Sequence, residues 1–61
     1  MKVKEIIQKA PQEEFIEIYD SLNANIYSGM IKFINKDSAF LEKKVKRIWC
    51  EDYSSLCIQY K

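Results

Sequence analysis

The segments of this chain that read as β-strands carry large apolar residues on both faces, in a sequence of only 61 residues. Phe15, Ile16, Ile18 and Tyr19, and then Met30, Ile31, Phe33 and Ile34, cannot all enter one core, because successive strand side chains alternate sides. A domain of this size buries roughly 60% of the surface its unfolded chain exposes, enough for one thin layer. One sheet face therefore needs a cover from outside the chain. The sequence predicts a small subunit that associates with itself or docks on another protein through its sheet.

Apolar residues make up 48% of the chain and charged residues 31%, a globular composition with no linker or repeat, so residues 1–61 read as a single domain. Val3, Ile6, Ile7 and Ala10 follow the spacing of one helical face, and Pro11 ends a short helix over about residues 2–10. Residues 14–20 and 26–34 are β-branched and aromatic, separated by the turn-forming stretch from Ser21 to Asn25. Asp37 is placed to cap a helical turn over Ser38 to Glu42, and residues 43–50 and 55–61 form a final hairpin around Glu51-Asp52-Tyr53-Ser54. The expected fold is α+β, with an N-terminal helix packed on a small antiparallel four-stranded sheet in the order α-β-β-short α-β-β. Ile16, Ile18, Ile31, Phe33, Leu56 and Ile58 are the residues expected beneath the helix.

The third strand does not alternate cleanly. Val45 and Trp49 share parity and Ile48 opposes them, so either a bulge shifts the register or both faces are covered. A second apolar set, Phe15, Tyr19, Met30, Ile34 and Trp49, is the expected interface of a two-fold homodimer.

Chemistry-bearing motifs are few. The chain has no histidine, no Gly-rich phosphate loop and no Gly-x-Ser-x-Gly elbow, which argues against an enzyme. Cys50 and Cys57 form no Cys-x-x-Cys motif and read as packing residues of a reducing compartment, so neither a metal nor another cofactor is expected. Glu13-Glu14 and Glu51-Asp52 are adjacent acids whose side chains point apart. The N-terminal apolar stretch is broken by Glu5, Gln8 and Lys9, and no run approaches the ~20 residues of a membrane span, so a cytoplasmic protein is expected.

Charge adds one ambiguity. Residues 1–30 carry a net charge of −2 and residues 31–61 one of +3, with four of the basic groups in Lys43-Lys44-Val45-Lys46-Arg47. Lys44, Lys46 and Arg47, with nearby tyrosines to stack on bases, fit single-stranded nucleic acid. Lysines on a strand also prevent edge-to-edge aggregation, and a near-neutral chain lacks the broad positive field of a nucleic-acid binder. Tyr27 and Tyr53, with the same three basic residues, are the candidate partner-binding set, since amphipathic aromatics anchor protein interfaces.

Lys2-Val3-Lys4-Glu5-Ile6-Ile7 leading to a proline, the strand around Phe15-Ile16-Glu17-Ile18, the run from Leu41 to Trp49 and Leu56-Cys57-Ile58 together resemble short phage and prophage proteins of Gram-positive bacteria. Within that group the chain is similar to the Hachiman anti-defence proteins. The resemblance implies a small cytoplasmic protein that disables a host defence complex by binding it as a homodimer. It transfers no residue motif. A nucleic-acid-associated or regulatory accessory protein of a mobile element is the alternative, and a structural assembly factor a third.

Overall fold

The computed structural model describes residues 1–51 and 55–61. Helix α1 (Val3–Lys9) is followed by strands β1 (Phe15–Tyr19) and β2 (Asn25–Met30), two 3₁₀ turns (Ile31–Phe33 and Ala39–Glu42), and strands β3 (Val45–Glu51) and β4 (Ser55–Tyr60). The Glu5 carboxylate accepts the Lys2 backbone N–H at 3.0 Å, tying off one donor at the helix start. That hydrogen bond, more than any nearby charge, holds the Glu5 carboxyl below the ordinary carboxylate range.

The four strands form one sheet in the order β2-β1-β4-β3. The α+β class, the helix and the four strands are as expected, but the sheet is mixed: both hairpins are antiparallel, while β1 and β4 run parallel at its centre. Residues 31–44 cross the helix side of the sheet from the β2 edge to the β3 edge, which brings β4 beside β1 with the two strands parallel. The strands richest in apolar residues thus become central, where they gain neighbours on both sides, and the more polar β2 and β3 take the edges.

On the helix side Val3, Ile16, Ile18, Ile31, Phe40 and Ile58 form the buried core, with Ile6, Ile7, Tyr27, Ile34, Val45 and Leu56 packed around it. The second strand stops at Met30, short of the expected residue 34, because Ile31 N–H donates to Glu14 O and Lys32 N–H to Gln12 O, pulling the chain off the sheet. Ile31 enters the core from this turn. Phe33, expected beneath the helix, is instead 70% exposed. Residues 39–42 form a 3₁₀ turn preceded by Ser38 rather than a helical turn capped by Asp37, and Phe40 is its buried anchor. Lys2 and Lys4 both reach Glu42 of this turn, at 3.0 and 2.8 Å.

In β3 a bulge does shift the register, between Val45 and Arg47. It places Val45 and Ile48 toward the helix side and Arg47, Trp49 and Glu51 on the opposite face.

Candidate functional site

Helix α1 and both 3₁₀ turns pack on one side of the sheet, so among the described residues no element covers the other side. The registers define that open face row by row. Met30, Phe15, Ser55 and Glu51 make one row; Ser28, Glu17, Cys57 and Trp49 the next; Asn25, Tyr19, Gln59 and Arg47 the third.

The centre of the face is ordered by aromatic and polar contacts. Tyr19 and Trp49 stand on strands that flank β4, yet their rings stack with centroids 5.6 Å apart and planes at 26°. They meet above β4, which explains why Cys57 is fully buried and Gln59 nearly so on a face that no other element among the described residues covers. The Arg47 guanidinium lies 4.6 Å from the Trp49 ring centroid. Its Nε–H donates to Gln59 Oε1 at 2.9 Å, and Gln59 Nε2 in turn donates to the Asp20 carbonyl at 3.0 Å. Tyr19, Trp49, Arg47 and Gln59 are each braced by a neighbour, which limits the side-chain freedom they would lose on meeting a partner.

Glu17, Glu51 and Cys57 bring their side-chain oxygen and sulfur atoms within 4.8 Å of one another. Burial, then the two carboxylates, push the Cys57 thiol pKa up. A thiol held protonated in this way is a poor nucleophile and a poor thiolate ligand. Tyr19 Oη donates to Glu17 Oε1 at 2.5 Å, and this bond to a carboxylate, with burial, pushes the phenol to about 12. Tyr19 is thus held as a neutral donor to the Glu17 carboxylate.

Four of the five residues expected at a homodimer interface, Phe15, Tyr19, Met30 and Trp49, lie together on this face. Phe15 and Met30 are paired neighbours, 41% and 37% exposed. Ile34 does not join them: the chain leaves the sheet at Met30, and Ile34 packs against the core from the other side. Glu17, Cys57 and Gln59 completed the face unnoticed in the sequence; the shared parity of Glu17 with Phe15 and Tyr19 was the available signal.

The partner-binding candidates do not converge. Tyr27 pairs with Ile18, packs on the core side against Phe40, and donates its hydroxyl to Met30 O at 2.7 Å. Tyr53 lies outside the described residues. Lys44 precedes β3 and bridges to Lys2, Lys46 stands in the bulge, and Arg47 is on the open face, so the three basic residues do not share one regular strand face.

A separate cleft of about 680 Å³ lies between α1 and the two 3₁₀ turns, floored by Ile7, Ile31, Ile34 and Leu41. Its lysines are largely engaged, Lys4 with Glu42 and Lys32 with Glu13. No helix is long and apolar enough to cross a membrane among the described residues. No protein-family model, curated protein or solved structure matches this chain.

Proposed function

We propose that this chain is a non-enzymatic binding protein of the cytoplasm that works as a homodimer and blocks a host defence protein against phage. The observation that carries the binding reading is the uncovered sheet face, on which Phe15 and Met30 stand exposed beside the stacked Tyr19 and Trp49. Aromatic side chains already fixed in place lose little freedom on binding and are the usual anchors of protein interfaces. Cys57, the one thiol nucleophile on this face, is fully buried beneath the rings, which favours recognition over catalysis at the same spot. The choice of a defence protein, and of Hachiman as the first to try, rests on the resemblance of the chain to small phage proteins.

The test is phage plating on bacteria carrying a panel of defence systems, Hachiman included, with and without this chain expressed. Restored plaques on one system support the proposal and identify the target pathway. Unchanged plating on every system, with the chain demonstrably expressed, rejects the inhibitor reading and favours the nucleic-acid-associated alternative.

A further inference from the structure

Strand β3 is an edge of the sheet, and its outer side is only partly closed. At its start Val45 N–H donates to Met1 O at 2.8 Å and Lys44 bridges to Lys2, so the N-terminal residues occupy that end. Beyond the bulge at Lys46, no backbone group among the described residues pairs with the outer edge of Arg47–Glu51. An open row of strand donors and acceptors is a template for another strand. The window is five residues long, and Trp49 is its centre.

The sequence of the window has a two-fold character. It runs Arg47, Ile48, Trp49, Cys50, Glu51: a cation, three apolar residues, an anion. Laid antiparallel on a copy of itself about Trp49, the window sets Arg47 opposite Glu51, Ile48 opposite Cys50 and Trp49 opposite Trp49. Each charged pair joins opposite signs, and both lie on the open face, where cross-strand side chains are neighbours at about 5 Å. The same register brings the end of the second copy's strand, at Glu51, to the point where Met1 and Lys2 close the first copy's edge. The open window and the length of strand available to fill it therefore coincide.

We propose that two copies of this chain join edge to edge through β3, antiparallel about Trp49, with Arg47 of each copy against Glu51 of the other. This rests on the reading of the chain as a homodimer and specifies how it forms. The product is one continuous eight-stranded sheet. Its two-fold axis stands perpendicular to the sheet, so both helices lie on one side and both open faces merge into a single surface on the other. Ile48, 47% exposed at the edge, gains the second copy's Cys50 as its cover. Self-association thus leaves Phe15 and Met30 free for a different protein, which a face-to-face dimer would not.

The test is sedimentation equilibrium between about 1 and 100 µM on the full chain, its Arg47→Glu and Glu51→Arg variants, and the Arg47→Glu/Glu51→Arg double variant. The wild type is expected to be dimeric. Each single variant sets like charges opposite each other twice and is expected to weaken the dimer at least tenfold; the double variant, with opposite charges restored, is expected to return to within about threefold. The double variant also lacks the native Arg47 contacts with Gln59 and Trp49, so its recovery cannot come from them. Should a single variant fail to fold by circular dichroism, Ile48→Cys provides a second reading: mild oxidation should join it to Cys50 of the other copy as a covalent dimer. A dimer indifferent to both single changes, or no Ile48→Cys crosslink, overturns the edge arrangement while leaving the homodimer intact. A wild-type monomer throughout the range overturns both.

Discussion

The Tyr19 ring stacks on Trp49 across an intervening strand, with centroids 5.6 Å apart, and together the two rings shield Cys57. In a Cys50→Ser background Cys57 is the only thiol, and it is expected to resist an aromatic disulfide reagent in the folded protein and to react fully in denaturant. Adding Trp49→Ala removes half the roof and should speed the reaction at least tenfold at a pH where the protein stays folded. Equal rates with and without the indole would show that the rings do not protect the thiol.

Tyr19 should ionise late. Its hydroxyl donates to Glu17, which favours the neutral phenol and pushes its pKa to about 12 against an ordinary 10.0. Because the folded pKa is raised, the associated stability is present below pH 10 and is lost as the pH climbs through the folded value near 12. The difference between the ultraviolet titrations of wild type and Tyr19→Phe isolates this group. A midpoint well above 11 is expected, and one near 10 would contradict the hydrogen bond.

At the acid end two carboxylates contribute with the opposite sign. Glu42 is held below 4.5 by hydrogen bonds from Lys4 and then Lys2, and Glu5 by the Lys2 backbone N–H. Depressed folded pKa values give stability that is present above about pH 4.5 and lost as the pH falls through them. Thermal melting should be flat from pH 7 to 5 and fall below that. Glu42→Gln should lower the melting temperature at pH 7 and converge with wild type near pH 3; a constant gap would show that charge is not the cause.

Gly29 has φ of +154°, and a Cβ there would stand 3.0 Å from Tyr27 Oη. Gly29→Ala combines a disfavoured backbone with pressure on a hydroxyl bonded to Met30 O, and is expected to destabilise the domain by about 1–3 kcal/mol. Denaturant titration measures this directly. A neutral result would mean that the hairpin relaxes to a different register.

Ile58 is fully buried at the centre of the sheet. Truncation to alanine should cost about 2–5 kcal/mol. A 61-residue domain has about 3–9 kcal/mol in total, so Ile58→Ala should be largely unfolded at 37 °C unless association compensates. Ile58→Val, losing one methylene, should remain folded.

Much of this fold was legible from local patterns. The 3.6-residue spacing of Val3, Ile6, Ile7 and Ala10 and the stop at Pro11 locate α1, and parity alone groups Phe15 with Tyr19 on the face away from Ile16 and Ile18. Parity failed where the chain left the sheet. Ile31, Phe33 and Ile34 alternate as a strand would, but backbone bonds to Gln12 and Glu14 turn them into a 3₁₀ segment, which moves Ile34 to the core side and Phe33 into solvent. The parallel pairing of β1 with β4 was hidden for a related reason. Strand order depends on where the connection over residues 31–44 crosses the sheet, and no local propensity records that β4 is the strand lying between Tyr19 and Trp49.

The open sheet face is the proposed protein-binding surface, and its two exposed anchors, Phe15 and Met30, are the place to test it. The measurement is plaque restoration on the sensitive defence strain by the wild type and by a Phe15→Glu/Met30→Glu variant with native circular dichroism and native dimer mass. Loss of at least about tenfold in restoration by the variant is the expected result, since two charges would replace the exposed anchors of the face. Restoration equal to wild type would show that the face takes no part in binding.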